Sequence, residues 1–365
     1  PQNPKTPKPH IWEIVTLFRI IIISFSSCQS TSNPKKIEIG TISKIDVHSH
    51  YQHSRSYLPS FLKKWNMRSV LVDVAKEGPE GVERSWGHYQ NHATTQPDLY
   101  FLCSSLIGTG IDAPDFATNA IKLLEEEINS GARMVKVWKN FGMVTQDESG
   151  NFIQIDDTRL QPIWEYLKSK GIPVMAHIAE PEQAWRELDP QNPHYGYYKN
   201  NPQYHAFTIP EIPSYETIIA ARDRWIKNNP ELQILCAHLG SMSHDVDMVA
   251  SRLDQYPNMS IEIGARFGDL AHQDSEKVSA FFDTYQDRIL FGSDYGNAME
   301  ETSMTTDQLN EEEKNLEQNY TRLWRYLASD DSLEIRGQKS KGLHLNQNIL
   351  EKVYAKNAIN LLKLE

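Results

Sequence analysis

The chain has 365 residues, of which 39% are hydrophobic and 10% aromatic, so it can bury one large core without a second domain. Its formal net charge at pH 7 is −11, and the sequence contains neither a basic stripe with interleaved aromatics nor a glycine-rich phosphate loop. Composition and charge therefore argue against a nucleic-acid partner.

The N-terminal segment has the pattern of an export signal. An apolar run, Ile20–Ile23, and a few small residues lead to Cys28, and the basic residues before the run are Lys5, Lys8 and Arg19. This order is typical of a bacterial lipoprotein signal, in which residues 1–27 are removed and the thiol of Cys28 is lipidated. An ordinary signal peptide and an uncleaved anchor are the alternatives. On the lipoprotein interpretation, residues 28–41 form a polar tether, and the exported protein touches the cell-envelope membrane only through its lipid anchor.

Two histidines close the first apolar run of the chain, Ile42–His50. On a β-strand, residues i and i+2 project to the same face, so His48 and His50 at the end of a strand can bind one metal ion together. A single histidine at a strand end is more often a hydrogen-bonded structural residue. The pair is therefore interpreted as half of a metal site that needs ligands from other strands.

Later apolar runs supply candidates for those ligands. The run Met134–Val137 contains a lysine, two further runs end in histidine and one ends in aspartate, and these four residues are Lys136, His177, His238 and Asp294. Zinc and similar metals accept imidazole and carboxylate ligands together, and a catalytic site uses three or four protein ligands with one position left for water. Together these strand ends predict a metal centre more strongly than any one of them does.

The spacing of the apolar runs predicts the architecture. Eight β-runs alternate with helix-like stretches, the runs being 42–47, 68–74, 99–104, 134–137, 173–176, 233–237, 259–263 and 288–291. The main helical stretches are 115–130, 159–170, 215–228, 245–255 and 274–285. This alternation favours an α/β fold, a closed (β/α)8 TIM barrel, as a single domain over residues 42–365. The candidate ligands all follow strands, at the face where such barrels form their active sites.

The same residues resemble a known family. The opening Asp46–His50, Lys136, His177, His238 and the terminal Gly292–Asp294 are similar to the metal-dependent amidohydrolase superfamily. The resemblance is to its amidohydrolase-2 branch, which includes aminocarboxymuconate-semialdehyde decarboxylase and sugar lactonases. It extends over roughly Lys44 to Leu362.

The resemblance implies roles for these residues. It implies one divalent metal, most simply Zn2+, with four ligands: His48, His50, His177 and Asp294. His238 would then be an unliganded acid/base or carbonyl-polarising group. In binuclear relatives a carboxylated lysine bridges two metals, and Lys136 matches that position, so a second metal is an alternative. Otherwise Lys136 would form an ion pair with a carboxylate such as Glu180.

Substrate contacts are expected from the loops over the same face. The segment 180–213 is far longer than an ordinary strand-to-helix connection and is rich in aromatics, which makes it a candidate lid or a self-packed surface loop. Tyr198 and Trp138 are candidates for stacking on a small-molecule substrate. Arg266 could bind a substrate carboxylate through its two-pronged guanidinium or form a structural salt bridge.

The resulting functional hypothesis is an exported metal-dependent hydrolase of a small ester, lactone or amide. A metal-activated water would attack the carbonyl, Asp294 would pass its proton to the leaving group, and His238 would stabilise the oxyanion. The alternative is a metal-dependent non-oxidative decarboxylase of a small aromatic or unsaturated acid, with the same residues. A non-catalytic binding lipoprotein is a third possibility, disfavoured by the intact proton-transfer pair.

The lipoprotein hypothesis predicts the effect of Cys28→Ser. Because the thiol is the acylation site, the variant should accumulate as an unprocessed precursor instead of a lipidated mature form. Membrane fractionation and the intact mass of the protein measure both effects. Equal membrane association with an unchanged mature mass would contradict the hypothesis.

Overall fold

Parallel strands curl into a closed cylinder in the computed structural model, which describes residues 38–78 and 80–364. Nine strands form one sheet: β1 (Lys44–Tyr51), β2 (Met67–Val72), β5 (Tyr100–Ser105), β6 (Ala132–Val137), β7 (Val174–Ala176), β8 (Ile234–Cys236), β9 (Met259–Glu262), β10 (Ile289–Leu290) and β11 (Tyr295–Asn297). Two antiparallel hairpins lie outside it, β3–β4 (Lys76–Gly78 and Gly81–Glu83) and β12–β13 (Ser332–Ile335 and Gln338–Lys341).

The cylinder closes because β10 and β11 are two parts of one interrupted strand. The order in the sheet is β10-β9-β8-β7-β6-β5-β2-β1-β11, with every pair parallel. Just after β10, the carbonyl of Phe291 accepts a hydrogen bond of 3.0 Å from Val47 N on β1. Counting β10 and β11 as one, eight strands surround the axis, and the predicted (β/α)8 barrel is confirmed.

Helices cover the outside of the cylinder and connect its strands. Those of seven or more residues are Leu58–Lys64, Trp86–Thr95, Phe116–Asn129, Gln161–Lys170, Tyr215–Asn228, Val246–Gln255, Ser275–Thr284 and Thr306–Ala328. Shorter ones are Tyr195–Asn200, Phe267–Ala271, Gln347–Glu351 and Asn357–Leu362, the last two joined by a π-helical turn, Lys352–Lys356. The five helices predicted from periodicity are present within two residues of their expected bounds.

Apolar side chains pack both inside the barrel and between the sheet and the helices. The inner cluster includes Val47, Met134, Met175 and Leu235, all fully buried, and the C-terminal helix contributes Leu362 to it. A larger cluster holds the sheet to its surrounding helices. The inner layer therefore supports the site from below, as side-chain layers do in barrels of this class.

A bulge in β1 turns the two histidines toward the barrel axis. The register of β1 against β2 shifts between Asp46 and Ser49. Val47 belongs to the inner cluster, and His48, the next residue, contacts Lys136, which shares a face of β6 with the inner Met134. An extra residue in a strand allows two successive side chains to face the same way. The bulge therefore places His48 and His50 above the apolar layer.

A short turn before β1 packs against the barrel. Residues Ile39–Thr41, assigned to the tether, form a 3-10 turn, and Ile39 packs against the main core. The buried ammonium of Lys44 donates to the carbonyls of Ile39 and, at 2.7 Å, Ile42, which ties this turn to β1.

The predicted signal segment 1–27, Cys28 and most of the tether lie outside the described residues. Among residues 38–78 and 80–364, no helix is long and apolar enough to cross a membrane.

Candidate metal centre

Three of the four predicted metal ligands meet at the C-terminal ends of the strands. His48 and His50 of β1 and Asp294, between β10 and β11, each offer one ligand atom within 4.8 Å of the others. The Oδ1 atom of Asp294 lies 3.4 Å from Nε2 of His48 and 3.2 Å from Nε2 of His50. Both imidazoles and the carboxylate therefore face one common point.

Hydrogen bonds on the far side of each ring orient these imidazoles. His50 donates from Nδ1 to the carbonyl of Val72 at 2.8 Å, and His48 Nδ1 lies 3.0 Å from the Glu262 carboxylate. Because both partners accept, Nδ1 carries the proton and each Nε2 keeps a lone pair. Burial, together with the charge of Lys136, lowers the pKa of His48. Neutral imidazoles held in this way have the form that metal ions require.

Glu262, at the end of β9, is the central buried carboxylate. It accepts hydrogen bonds from His48 Nδ1, from the backbone N–H of His238 at 2.7 Å and from the N–H of Gly264. Burial opposes its ionisation, but His48 and His238 lower the pKa of Glu262 to about 2. Side chains would not fit beside it, since a Cβ on Gly264 would lie 2.6 Å from Oε2 and one on Gly292 closer still. Sequence reasoning missed this residue, although an acidic end to an apolar strand was a visible signal.

His238 lies on a left-handed turn. The φ values of residues 238–241 are 58, 57, 64 and 63°, a conformation that costs non-glycine residues about 1 kcal/mol or more each. Neighbours hold the turn in place: Arg222 donates to the carbonyl of Gly240, and the hydroxyl of Tyr215 donates to that of Ser241 at 2.8 Å. The turn directs the His238 ring toward His48, with the ring centroids 5.0 Å apart.

The protonation state of the His238 ring follows from its partner. Nδ1 lies 2.7 Å from the carbonyl of Gly264, so Nδ1 donates and Nε2 is a free acceptor. Burial and the charge of Arg266 lower the pKa of His238 to about 3. The sequence predicted that His238 would stabilise an oxyanion. Donating a hydrogen bond to an oxyanion needs a proton on Nε2, which this tautomer does not have.

His177, directly after β7, has a ring nitrogen whose surroundings indicate whether the site suits a metal ion. Its ring centroid is 4.3 Å from that of His238, yet it is not part of the group of three within 4.8 Å. Its Nε2 is buried without a hydrogen-bond partner in the described part of the chain. An unsatisfied buried nitrogen is costly, and a metal ion bound to it would remove that cost. The donor set of neutral imidazoles with one carboxylate fits a divalent cation such as zinc.

Lys136 lies beside the same centre. Its Nζ donates to Nε2 of His48 at 3.2 Å, and burial lowers the pKa of Lys136 to about 8. The alternative ion pair with Glu180 is not formed, because Lys139 bonds that carboxylate instead. Since His48 Nε2 has one lone pair, a cation bound to it would replace the hydrogen bond from Lys136.

Asp294 owes its position to a second buried carboxylate, Asp46 of β1. Asp46 accepts hydrogen bonds from the N–H of Ser293 at 2.9 Å and from the hydroxyl of Tyr320 at 2.6 Å. Asp294 itself has a φ of 62°, and its N–H donates to the carbonyl of His48 at 2.7 Å. The break between β10 and β11 thus directs the carboxylate inward. The neighbouring histidines, chiefly His48 and His238, outweigh burial and hold the pKa of Asp294 well below its usual range.

Three clefts among the described residues share Asp294, and two of them are also lined by other residues of the centre. The larger, with a volume of about 780 Å³, is also lined by His177, His238 and Arg266, by residues 190–197 and by the tip of the β12–β13 hairpin, including Arg336. The second, about 520 Å³ in volume, is lined by His50, Trp138, Arg84 and Tyr89. A substrate can therefore reach the centre along either side.

The segment 180–213 is folded and anchored rather than open. His194 donates from Nε2 to both oxygens of Asp269, at 2.9 and 3.0 Å, and Ser243 donates to the same carboxylate at 2.6 Å. At the other end of the segment, Lys139 pairs with Glu180. The segment therefore forms a fixed wall of the larger cleft.

The three predicted substrate contacts lie in different places. Arg266 lines the larger cleft, and its buried Nε has no hydrogen-bond partner among the described residues. Trp138 lines the second cleft. Tyr198 is buried, with its hydroxyl 3.2 Å from Glu180, so it supports the wall of the cleft while Tyr197 and Tyr195 line it.

Comparison with known proteins gives a family match over most of the chain. The family model described as Amidohydrolase matches residues 45–364, which is most of the chain and includes every candidate ligand. No curated protein sequence matches the chain significantly. The match covers nearly the same range as the resemblance drawn from the strand-end motifs.

Solved structures share the fold at low sequence identity. A 2,6-dihydroxybenzoate decarboxylase from Rhizobium has a TM-score of 0.51 and 13% identity, covering 88% of this chain and 99% of that chain. A structure described as an amidohydrolase II has a TM-score of 0.51 and 15% identity, and the match covers 88% of this chain and 100% of that chain. A dihydroxybenzoic acid decarboxylase from Polaromonas, with manganese and an inhibitor bound, has a TM-score of 0.50 and 14% identity, covering 88% and 97%.

The role of Glu262 can be tested by Glu262→Gln. The amide keeps one acceptor oxygen but is neutral and places an NH2 group against either the N–H of Gly264 or the donors of His48 and His238, so the orienting hydrogen bond to His48 is weakened or lost. The affinity for Zn2+ should therefore fall about 10- to 100-fold. Competition with a chromogenic chelator measures the affinity, and the exposed Glu276→Gln serves as the control. Unchanged affinity in Glu262→Gln would contradict the assigned role.

The anchoring role of Asp269 predicts a pH dependence. Burial opposes its ionisation, but His194 and Arg266 lower the pKa of Asp269 to about 2, below its usual 3.8. Its contribution to folding is therefore complete above about pH 4 and is lost as the pH falls toward 2. At pH 6, Asp269→Asn should lower the free energy of unfolding by about 1.5–3 kcal/mol, and the difference from wild type should shrink in acid.

Urea unfolding of the metal-free chain between pH 6 and pH 3 measures this difference. The exposed Asp98→Asn is the matched control and should change the free energy of unfolding by less than about 0.5 kcal/mol. A difference between wild type and Asp269→Asn that grows as the pH falls would contradict the assignment.

Proposed function

The chain belongs to the amidohydrolase family, and from this membership we propose that it is a metal-dependent hydrolase of a small ester, lactone or amide. The observation that carries the proposal is the convergence of His48, His50 and Asp294 within 4.8 Å, beside a His238 whose Nε2 is free to accept a proton. Metal ligands and a proton acceptor at one point are the minimum that such a reaction needs.

One divalent cation, most simply Zn2+, would be held by four ligands: His48, His50, His177 and Asp294. When bound there, the cation supplies Lewis acidity, which polarises a carbonyl and lowers the pKa of water. We favour one ion over two because His238 then stays available for proton transfer. Lys136, close to His48, would bridge a second ion in the binuclear alternative.

His238 moves the proton in the proposed reaction. As water attacks the carbonyl carbon, its proton passes to Nε2 of His238, while Nδ1 stays bonded to the carbonyl of Gly264. The protonated ring then gives this proton to the departing oxygen or nitrogen as the bond to carbon breaks. Burial beside Arg266 disfavours the imidazolium and promotes this second transfer. Asp294, whose carboxylate lies beside the same imidazoles, helps to orient the water.

The larger cleft suits a substrate with an anionic group. Arg266 and Arg336 both line it, and the buried Nε of Arg266 has no hydrogen-bond partner among the described residues. Asp269 lies 3.9 Å from that nitrogen, too far to satisfy it. A substrate carboxylate would supply the missing acceptor in a charge-assisted pair. On the other side, Trp138 is the candidate for contact with an apolar or ring portion.

The same arginines favour decarboxylation of a small carboxylic acid as the second candidate function. A carboxylate held by Arg266 would lie next to the metal centre, where the carbon–carboxyl bond could break with release of carbon dioxide. The carbon left behind would take a proton from His238, which must start this reaction protonated. Hydrolysis therefore starts with a neutral His238, whereas decarboxylation starts with a protonated one.

Export remains part of the proposal. The pattern that ends at Cys28 supports a lipid-anchored protein of a bacterial cell envelope. Residues 28–37 of the proposed tether lie outside the described residues, and Ile39 packs on the barrel.

The central experiment combines a substrate screen with His238→Asn. Purified chain loaded with Zn2+ is assayed on panels of lactones, esters, amides and aromatic acids, with product and carbon dioxide measured separately. Asparagine tolerates the left-handed backbone of position 238 but cannot shuttle a proton. His238→Asn should keep its metal and lose about 10²- to 10⁴-fold in kcat.

His48→Ala is the companion variant, and it should lose the ion of this centre and the activity together. Full metal content in His48→Ala would refute the ligand assignment. A His238→Asn variant with wild-type kcat would refute the proton-transfer role, and carbon dioxide as the product would select the second candidate.

A further inference from the structure

We propose that His53, His88 and Glu300 form a second divalent-cation site, separate from the centre at Asp294. One ligand atom from each residue lies within 4.8 Å of the other two. His53 Nδ1 is 2.9 Å from Oε1 of Glu300, and the rings of His53 and His88 are 5.6 Å apart between centroids. The proposal does not depend on the reaction catalysed at the first centre.

The three residues come from separate segments whose backbones are already fixed. His53 follows β1, and its N–H and carbonyl both bond the side chain of Asn297 on β11, at 2.8 and 2.7 Å. His88 belongs to the helix Trp86–Thr95, which is tied to the same loop because His92 donates to the carbonyl of Gln52 at 2.9 Å. Convergence of side chains on fixed backbones is the preorganisation that a metal site needs.

The backbone next to Glu300 is fixed by a hydrogen bond to the side chain of the following residue, Glu301. The carboxylate of Glu301 accepts a hydrogen bond of 2.7 Å from the N–H of Ser56, three residues after His53. Segments 53–56 and 297–301 are therefore joined at both ends, and they carry two of the three proposed ligands, His53 and Glu300. That backbone arrangement holds residues 53 and 300 close enough for their side chains to meet.

The donor atoms of this group are not committed to other partners. The Nδ1 atom of His53 is buried and, despite its closeness to Glu300, has no hydrogen bond of acceptable geometry in the described chain. The ring of His88 makes no hydrogen bond within the same described residues. By contrast, His92, in the same helix, uses both ring nitrogens, with Ser54 and with Gln52. A metal ion would satisfy the nitrogen of His53 that is otherwise buried and unpaired.

Two imidazoles and one carboxylate are a set that selects zinc and similar borderline metals over calcium or magnesium. Three protein ligands leave at least one position for water or a small anion. The site also borders the second cleft, since Gln52, Asn297 and Ala298 line that cleft together with His50 and Asp294. An ion bound here would join the helix 86–95 to the segment after β11 at the entrance of this cleft.

The test is metal stoichiometry of the full chain at controlled free Zn2+. Wild type should bind two ions per chain, and His88→Asn and Glu300→Gln should each bind one. Both side chains are exposed, so neither substitution should disturb folding. His344→Asn is the matched control, because His344 is exposed with a φ of 49° that asparagine tolerates, and it should keep two ions.

Two further variants separate this site from the first centre. His48→Ala should retain one ion, and the double variant His48→Ala/His88→Asn should retain none. Lys136→Met should keep two ions, because the second ion does not depend on a bridge at the first centre. Wild type with a single ion would overturn the proposal. It would equally be overturned if His88→Asn kept two ions, or if Lys136→Met lost one while His88→Asn did not.

Discussion

The arrangement of the candidate metal centre depends on one buried carboxylate, that of Glu262. It accepts the ring N–H of His48, the backbone N–H of His238 and the N–H of Gly264, so a single anion connects β1, β8 and β9. A buried charge is tolerated only when hydrogen bonds replace its lost hydration, and here three donors do so. The same hydrogen bonds determine which nitrogen of His48 faces the centre. Glycine at positions 264 and 292 leaves the space that the carboxylate occupies.

Backbone strain at two positions completes the geometry. His238 and Asp294 both have left-handed φ values, 58° and 62°, in places where the chain leaves a strand. Such conformers cost about 1–3 kcal/mol each and persist only where the surroundings determine them. Hydrogen bonds supply that constraint: Arg222 holds the turn after His238, and the carbonyl of His48 holds the N–H of Asp294. The large barrel core offsets the cost, and the side chains at these positions are aimed at the centre before any ligand binds.

The chemistry and the selectivity of the site come from different parts of the molecule. Strand ends carry the histidines and Asp294, whereas the segment 180–213 and the β12–β13 hairpin form the outer wall of the larger cleft. That segment is anchored by two buried polar pairs, the hydrogen-bonded pair of His194 with Asp269 and the ion pair of Lys139 with Glu180. A wall held by such pairs offers a fixed shape to a substrate. Family membership accordingly specifies the metal chemistry more closely than the substrate.

The sequence by itself determined the (β/α)8 fold, the family and the residues that stand at the strand ends. These follow from local rules, because strand and helix periods can be read within about ten residues and a His-x-His pair on a strand shares one face. The alternation of inward and outward side chains expected for a regular strand did not reveal the bulge that places both Val47 and His48 inward.

Only the tertiary structure decided which side chains meet. Glu262 and His48 are 214 residues apart, and their contact exists only because β9 and β1 belong to one closed cylinder. The pairing of Glu180 with Lys139 instead of Lys136, the burial of Tyr198 and the packing of Ile39 on the barrel likewise depend on contacts across the fold. Periodicity records which face a residue occupies, while the partner on that face depends on closure of the barrel and on the path of its loops.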